Sequence, residues 1–335
     1  MRDDLVNEIV AAFILAASFI SAWVLVDYHR FTITPLLIEN DVSTYDIPSG
    51  STVSSIANDF EKNGWIKHKE YLKFYAKYHE LLSIKKGEYS IDKNMTAIDL
   101  LNKLVDGKVI LHRITLVEGW NFKQMMSEIQ KHPAIKQTLS DKSAKEIMTI
   151  LGKPSLHHEG QFLPDTYLFS AHTADIEILM NSHEAMQTVI NTQWPRLDKT
   201  SPIKSSYEML ILASIVEKET GAVEERSLIA AVFLSRLNKK MKLQTDPTVI
   251  YGMGENYKGN IKRKHLKEDT PYNTYVHRGL PPTPISMPGK AAIKAVIEPD
   301  ERGYLYFVSK GDGTHYFSKT LSEHNAAVRK YQLKK

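Results

Sequence analysis

Two glutamates follow an apolar stretch of the chain. Residues 210–220 read LILASIVEKET, so Glu217 and Glu219 come directly after a run of apolar and small side chains. On a helix these two carboxylates point about 200° apart, so they cannot act as a pair on one bond. Glu217 shares its face with Ala213 and Ser214, whose small side chains leave room for another group to approach. Two interpretations are open: a helix that leaves the core and meets water, or a catalytic acid kept neutral by apolar surroundings.

Three other segments combine aromatic rings with amides, and two of them also contain carboxylates and a proline. They read EGQFLPDTYLF at residues 159–169, LQTDPTVIYG at 243–252 and YNTY at 272–275. A fourth segment, GLPPTPISMPG at 279–289, contains four prolines and is expected to be rigid. Aromatic faces pack against sugar rings while amides and carboxylates bind hydroxyl groups, so these segments suit a carbohydrate. The alternative for each segment is an ordered loop whose polar groups satisfy only its own turns, and we predict a constrained polar loop around Pro247.

Taken in order along the chain, these motifs resemble the endolytic murein transglycosylase family, MltG or YceG-like. The resemblance runs from about residue 45 to the end and rests on these stretches: Glu118-Gly119-Trp120, EGQFLPDTY, ASIVEKET, LQTDPTVIYG, YNTY, GLPPTPI and EHN at 323–325. The chain departs from the family where Gln161 and Leu163 replace common aromatic residues and Thr283 replaces a small one. These departures concern the sugar subsites rather than the reaction.

The resemblance implies an enzyme of the bacterial inner membrane, single-pass, with its catalytic domain in the periplasm. It implies a lyase that cuts peptidoglycan glycan strands internally, leaves 1,6-anhydro-N-acetylmuramic acid ends and so terminates or sets the length of nascent strands. Work beside the wall-synthesis machinery is a further implication. A membrane-tethered protein that binds peptidoglycan or acts as a scaffold, without significant catalysis, is the alternative.

The resemblance assigns catalysis to Glu217, the first acid of the EKE motif. A lytic transglycosylase needs only this one carboxylate, whereas a glycoside hydrolase of the usual kind needs two. No cofactor or metal is expected, since the chain has no cysteine and His157-His158-Glu159 lacks a recognisable ligand spacing. Nucleic acid is not expected either, because a net charge of +4 is only mildly basic. The residues predicted to bind substrate are Gln244, Asp246, Thr248, Tyr251, Asn273, Tyr275, Glu159 and Tyr167.

The elements that position these residues begin with an apolar segment. Residues 9–26 read IVAAFILAASFISAWVLV and contain no charge or proline. Eighteen helical residues span about 27 Å, close to the hydrocarbon thickness of a bilayer. A cleaved signal peptide or a buried core helix are the alternatives, but the flank MRDDLVNE is not basic and no cleavage site is evident. We therefore predict a retained transmembrane anchor.

The 335 residues, 42% of them hydrophobic and with a net charge of +4, suit a globular chain of about two domains. We predict an α+β fold with an N-terminal transmembrane helix, a small LysM-like α/β subdomain and a mixed α+β catalytic domain. The expected boundaries are residues 1–30 for the anchor, 31–45 for an extended stalk, 46–110 for the LysM-like subdomain and 111–335 for the YceG-like catalytic domain. A generic α/β spacer is the alternative for residues 46–110.

Local signals mark individual elements. In the LysM-like part we predict a helix near residues 53–63, a second helix in KEYLKFYAKYHELL and a strand at GEYSI. Thr96 and Asp99 form a capping-box pattern before a helix that ends near Gly107. In the catalytic part, AVEERSLIAAVFLSRLNKK predicts an amphipathic helix, and YLYFVSKGDGTHYF predicts a hairpin. A second capping box at Thr320 opens a final helix.

Overall fold

The computed structural model describes residues 2–38 and 42–333, and side chains from residue 5 onward except those of 42 and 43. The chain divides into two compact units, the first comprising Met1–His112 with Ser170–His172 and the second Arg113–Phe169 with Thr173–Lys335. The elements of the N-terminal region are α1 (Arg2–Ile33), β1 (Val42–Ile47), α2 (Val53–Lys62), α3 (Lys69–Tyr78), β2 (Gly87–Asp92) and α4 (Ala97–Asp106).

The remaining elements follow from residue 111. They are β3 (Leu111–Thr115), α5 (Phe122–Lys131), β4 (Ile135–Lys136), α6 (Ala144–Ile150), β5 (Thr166–Ser170), β6 (Thr173–Ala174), α7 (Asp175–Gln193), α8 (Ser206–Glu219), α9 (Arg226–Asn238), α10 (Asp246–Met253), α11 (Lys290–Ile297), β7 (Tyr306–Ser309), β8 (His315–Ser318) and α12 (Leu321–Tyr331). The strands pair as β1–β2, β3–β5, β4–β6 and β7–β8. The mixed α+β class predicted from the sequence is confirmed.

Helix α1 is long and apolar enough to cross a membrane. The candidate span within it, Leu5–Ile33, is 29 residues long and contains the uncharged residues 9–26. Its side chains are exposed on every face from residue 5 to residue 26. Since none of the described residues covers this part of the helix, it is not a buried core helix.

The helix extends beyond the predicted boundary at residue 30, because its last residue is Ile33. Beyond it, Leu36 is 4% exposed and donates its backbone N–H to the carbonyl of Met95. This part of the predicted stalk is therefore packed rather than freely extended. The predicted stalk also includes residues 39–41, which lie outside the described residues.

The first unit has the strand–helix–helix–strand order predicted for residues 46–110. Strands β1 and β2 pair antiparallel with Tyr45 opposite Tyr89, and Tyr89 is fully buried. The predicted capping box is present at α4, where Thr96 and Asp99 bond each other's backbone N–H groups. Gly107 ends that helix with a φ of 72°, in the left-handed region that favours glycine.

Helix α8 is the centre of the second unit. Its residues from Met209 to Val216 are all buried, and α9, α10 and α11 pack around it. A helix that is apolar on all faces is stable only when it is surrounded, so the sequence itself demands this position. Ser205 caps the helix by accepting a hydrogen bond from the N–H of Glu208.

Two elements differ from the sequence prediction. The segment around Pro247 was predicted to be a loop, but α10 begins at Asp246 and places this proline in its first turn. Proline is tolerated there because first-turn N–H groups have no partner within the helix. The helix predicted for AVEERSLIAAVFLSRLNKK begins as a 3-10 turn, Val223–Glu225, and becomes α-helical only at Arg226.

The predicted C-terminal elements are confirmed. Strands β7 and β8 form an antiparallel hairpin in which Ser309 lies opposite His315. Thr320 caps α12 together with Glu323, as the capping-box pattern indicates.

Candidate active site

Glu217 lies in the last turn of the central helix α8, and its side chain is only 4% exposed. Its Oε2 accepts a hydrogen bond of 2.9 Å from the backbone N–H of Gly289. Its Oε1 accepts a hydrogen bond of 3.1 Å from Nη2 of Arg226, the first residue of α9. The carboxyl group is thus held at both oxygens by groups from two other segments.

Arg226 also connects Glu217 to a second carboxylate. Its Nη2 lies 3.6 Å from Oε2 of Glu118, which comes from the loop between β3 and α5. The side chain of Arg226 is 11% exposed and that of Glu118 is 44% exposed. One cation therefore lies between a buried carboxyl group and a solvated carboxylate. Nε of Arg226 is buried and has no hydrogen-bond partner in the described part of the chain, so this guanidinium can still donate one hydrogen bond.

Backbone hydrogen bonds fix the loop of Glu118 against the proline-rich segment. Gly119 donates its N–H to the carbonyl of Met287 at 2.9 Å, and Met287 donates to the carbonyl of Trp120 at 2.7 Å. A Cβ atom at Gly289 would lie 1.8 Å from Oε1 of Glu118. Glycine at this position therefore allows the carboxylate and the backbone to approach each other closely.

The room predicted beside Ser214 is filled by the protein itself. Ile285 donates its backbone N–H to Oγ of Ser214 at 3.0 Å, and Ser286 donates its hydroxyl to the Ser214 carbonyl at 3.2 Å. The small side chains of α8 thus admit the proline-rich segment, which carries Gly289 to the carboxyl group of Glu217.

The surroundings of Glu217 favour its neutral form. Burial raises the pKa of the Glu217 carboxyl above its usual value, while the N–H of Gly289 and the charge of Arg226 act in the opposite direction. The charge of Glu118 raises this pKa further. The net effect is a carboxyl group that keeps its proton at higher pH than a solvated glutamate does.

A cleft of about 1060 Å³ lies beside this cluster. Lys218, the next residue in the chain after Glu217, lines the cleft, and so does Gly119, which lies close to Glu217 in space. Glu217 itself is not among the lining residues. Lys218 is exposed, and its Nζ donates to the carbonyl of Gly119 at 3.2 Å. The cleft also has polar and aromatic walls, formed among others by Asn121, Gln124, His158, Glu159, Tyr251 and Tyr257.

Two residues predicted to bind substrate, Glu159 and Tyr251, meet in this cleft. The Tyr251 hydroxyl donates to Oε2 of Glu159 at 3.0 Å, and the N–H of Phe122 donates to Oε1 at 2.9 Å. Glu159 is 2% exposed. Burial raises the pKa of its carboxyl to about 7, although both hydrogen bonds oppose the rise. A second buried acid thus borders the cleft.

Glu219 has a separate environment, as its predicted position on the opposite helix face requires. Its carboxylate accepts a hydrogen bond from the hydroxyl of Thr245. Burial raises the pKa of Glu219 to about 7, and the nearby charge of Asp246 contributes to the rise. The two glutamates of the EKE motif therefore contact different parts of the fold.

Asp246 and Tyr275 form a pair at the start of α10. The Tyr275 hydroxyl donates to Oδ1 of Asp246 at 2.6 Å, and Asp246 is exposed. Gln244, two residues earlier, is exposed and has a φ of 50°, and its N–H donates to the carbonyl of Thr274 at 3.2 Å. Residues 274 and 275 thus bind the segment of Gln244 and Asp246, and Pro247, next in the chain, lines the cleft.

The other predicted substrate-binding residues make contacts within the protein. Thr248 is fully buried and donates to the carbonyl of Thr245 at 2.8 Å. Asn273 is 1% exposed, and its amide donates to the carbonyls of His265 and Glu268. The Tyr167 hydroxyl donates to the carbonyl of Leu163 at 2.7 Å. The hydrogen bonds of these side chains fix the local backbone.

The adjacent histidines His157 and His158 stack with ring centroids 4.1 Å apart. Burial lowers the pKa of His158 to about 4, and the charge of its neighbour contributes. In the part of the chain that is described, no three His, Cys, Asp or Glu side chains are grouped so that they could hold a metal ion.

Sequence reasoning missed the contacts that define the cluster around Glu217. Arg226 was seen only as part of an amphipathic helix, and Gly289 only as the end of a proline-rich segment. Glu118 was noted as part of a motif but was given no role. The only signal in the sequence for a role of Arg226 was its place at the start of a largely apolar helix. An arginine at that place is equally compatible with a solvated side chain.

Known proteins of one family resemble this chain over most of its length. Residues 45–330 match the model of the YceG-like family. The chain is 33% identical to a Bacillus subtilis protein named endolytic murein transglycosylase, over 88% of this chain and 87% of that protein. It is 28% identical to a Streptococcus pneumoniae protein of the same name, over 97% of this chain but only 65% of that protein.

A solved structure agrees with the sequence comparison. The crystal structure of a yceG-like protein from Listeria monocytogenes, determined at 2.6 Å, is 32% identical and has a TM-score of 0.55. The likeness covers 86% of this chain and 100% of that one. The chain therefore belongs to the YceG-like family.

Proposed function

We propose that this protein is an endolytic lytic transglycosylase that cuts the glycan strands of peptidoglycan, with Glu217 as its catalytic residue. The names of the Bacillus subtilis and Streptococcus pneumoniae relatives support the substrate and the reaction. The observation that carries the assignment is a buried carboxyl group, held at both oxygens and favoured in its neutral form, beside a cleft of about 1060 Å³.

In the first step, neutral Glu217 donates its proton to the glycosidic oxygen as the bond to the anomeric carbon breaks. A general acid must be protonated before the reaction, and burial supplies this state. After the transfer, Arg226 and the N–H of Gly289 already contact the two oxygens that share the new negative charge. Preorganised donors of this kind stabilise developing charge without further rearrangement.

In the second step, the Glu217 carboxylate takes the proton of the muramic acid 6-hydroxyl, whose oxygen attacks the anomeric carbon of the same sugar. A 1,6-anhydro end forms, no water is consumed and the acid regains its proton. A nucleophile within the same sugar has a large effective concentration, so a second protein carboxylate is not required. Glu118, held across Arg226, adjusts the charge of the site rather than attacking the sugar.

The cleft is the proposed glycan site. Its volume of about 1060 Å³ slightly exceeds the range of about 300–1000 Å³ that is usual for small-molecule pockets, which leaves room for several sugar units. Glu159 and Tyr251 are the predicted substrate-binding residues that line it. Gln244, Asp246 and Tyr275 are proposed to bind sugar beyond it, while Thr248, Asn273 and Tyr167 support the loops.

We place the enzyme in the bacterial cytoplasmic membrane, with α1 as a single span and the catalytic domain on the peptidoglycan side. The length and exposure of the apolar helix support the span. Because the substrate lies outside that membrane, the orientation follows from the proposed reaction. Action beside the wall-synthesis machinery, where internal cuts would set strand length, completes the proposal.

The test is digestion of purified, uncrosslinked glycan strands by the full chain in detergent, followed by mass spectrometry of the ends. Anhydromuramic ends support a lyase, reducing ends indicate a hydrolase, and uncut strands indicate a binding protein. Glu217→Gln should lower the rate by about 10²–10⁴, because the amide keeps the shape but cannot donate the proton.

Glu219→Gln is the matched control, because it makes the same change two residues away on another helix face. It should retain much more activity than Glu217→Gln. Near-normal turnover by Glu217→Gln, or loss of activity only in Glu219→Gln, would show that the wrong glutamate has been chosen.

A further inference from the structure

An aromatic surface on α3 is left uncovered in the first unit. Phe74 is 58% exposed and Tyr78 is 73% exposed, and their rings stack with centroids 6.1 Å apart. Leu82, in the loop that follows, is 60% exposed. Large apolar side chains that are grouped on a surface usually mark a site of contact. We call these three residues the α3 patch.

The α3 patch is fixed to the end of the apolar helix α1. The Tyr28 ring lies edge-on to Phe74 at 5.8 Å and to Tyr71 at 5.5 Å. Phe31, one turn further along α1, packs against Tyr71 at 5.6 Å. The Tyr71 hydroxyl donates to Oδ2 of Asp27 at 3.0 Å. Three ring contacts and one hydrogen bond therefore set the height of α3 along α1.

That height corresponds to the border of a membrane. The uncharged apolar stretch ends at Val26, and Tyr28 lies about 3 Å further along the helix axis. The polar layer on each side of the hydrocarbon core is about 5–7 Å thick, so side chains in contact with Tyr28 lie within it. Tyr and Trp rings are enriched in that layer, where their amphipathic character suits both lipid tails and headgroups, so Tyr28 and Tyr78 fit there.

Cationic side chains lie slightly further out. Arg30 is about 6 Å beyond Val26 along the axis, near the level of lipid phosphates. With Lys67 and His68 it lines a pocket of about 320 Å³ beside α1. The acidic residue in this pocket, Asp27, accepts the Tyr71 hydrogen bond and lies 3.7 Å from Nε2 of His68.

We propose that the α3 patch lies in the headgroup layer of the same bilayer that α1 crosses, with Arg30 and Lys67 facing lipid phosphates. The first unit is then seated on the membrane surface by two contacts, the span and the patch, and cannot tilt freely about α1. This inference rests on the proposed function only through the membrane span of α1.

Because the chain contains no cysteine, single-cysteine labelling gives a clean test. Tyr78→Cys, Phe13→Cys and Asn94→Cys in the full chain are each labelled with an environment-sensitive fluorophore and reconstituted in vesicles of phosphatidylethanolamine and phosphatidylglycerol. Phe13 lies in the middle of α1 and reports on the span. Asn94 is exposed and serves as the control in water. It precedes Met95, whose carbonyl accepts a hydrogen bond from Leu36, a residue beyond the end of α1.

The label at residue 78 should show a blue shift and a loss of iodide quenching relative to the label at residue 94. Adding Phe74→Ser and Leu82→Ser should return the residue 78 label towards the control values. These two positions are exposed, so the fold should survive, and circular dichroism checks this.

Three outcomes would overturn the inference. A quenched residue 78 label together with a protected residue 13 label would leave the span intact but place the patch in water. Protection of residue 78 in detergent-free protein without vesicles would indicate a protein contact instead. A quenched residue 13 label would refute the span itself, independently of any result on glycan cleavage.

Discussion

Glu118→Gln isolates the electrostatic role of the second carboxylate. The amide has nearly the shape of the acid, so the loop should keep its backbone bonds to Met287. Removing the charge leaves Arg226 to act on Glu217 alone. Since the charge of Glu118 raises the pKa of Glu217, the substitution should lower it. The acid then loses its proton at lower pH, and the alkaline limb of the pH–rate profile should move to lower pH.

The geometry sets the size of this shift. Both carboxylates approach the same Nη2 atom, at 3.1 and 3.6 Å, so the nearest oxygens are at most about 7 Å apart. Two unit charges at about 7 Å repel by about 0.6 kcal/mol in water and about 2.4 kcal/mol at an effective dielectric constant of about 20. Because Glu118 is 44% exposed, screening favours the lower part of this range. About 1 kcal/mol corresponds to a displacement of about 0.7 pH units.

The assay is kcat/KM on defined glycan strands from pH 4 to 9, with anhydro ends counted by mass spectrometry. At pH values above the alkaline limb, the kcat/KM of the variant should be about fivefold lower than that of the wild type. This difference in kcat/KM should shrink in about 1 M salt. Glu184→Gln, which removes the same charge from an exposed position on α7, is the control. An unmoved limb, a shift to higher pH, or an equal shift in the control would refute the reasoning.

Two further predictions concern the same region. In Gly289→Ala the new Cβ would lie 1.8 Å from Oε1 of Glu118, while the φ of −77° suits alanine. The flexible carboxylate of Glu118 should swing away from the new methyl group. We therefore expect the alkaline limb of the pH–rate profile to move to lower pH, as in Glu118→Gln, with little change in melting temperature. Combining the two substitutions should move the limb no further. A stable Gly289→Ala variant with a wild-type pH profile would contradict this. For Glu159, a pKa of about 7 in the fold against an ordinary 4.5 means that the folded state holds an extra proton between those pH values. The free energy of unfolding of the wild type should therefore fall relative to Glu159→Gln as pH rises from about 4.5 to about 7, by up to about 3 kcal/mol. Urea unfolding of both proteins at pH 5 and pH 8 in detergent measures this difference, and a constant difference would show that Glu159 is not buried as described.

Local signals in the sequence were sufficient where the structure depends on neighbours in the chain. The pair Thr96 and Asp99 predicted a helix start because both groups satisfy N–H donors within one turn. The apolar run before Glu217 predicted a core helix, because consecutive apolar side chains in one segment have to be buried. Pro247 misled the prediction, since a proline fits the first turn of a helix as well as it fits a loop.

The site itself depends on contacts between distant segments. Glu217 and Gly289 are 72 residues apart in the chain, and the N–H group that binds Oε2 has no side chain to signal it. Arg226 is nine positions from Glu217, but its approach requires the 3-10 turn that reorients the chain before α9. Burial of Glu159 likewise depends on Tyr251, 92 residues away. Such pairings are set by tertiary packing, which a single sequence does not record.

In the reaction we propose, the cluster of Glu217, Arg226 and Glu118 lets one carboxyl group serve as acid and then as base. With Glu217 protonated, the positive charge of Arg226 is balanced by Glu118, and the cluster carries no net charge. Once the proton has passed to the leaving oxygen, the cluster is negative and faces a sugar that has become electron-poor at its anomeric carbon. That attraction exists only in the transition state and the short-lived intermediate, which is where stabilisation accelerates a reaction. The same negative charge, no longer balanced, favours recovery of a proton from the 6-hydroxyl. The attraction between Arg226 and Glu217 therefore has to be strong enough to stabilise the carboxylate. Because Arg226 also interacts with Glu118, this attraction is weak enough for Glu217 to take the proton back.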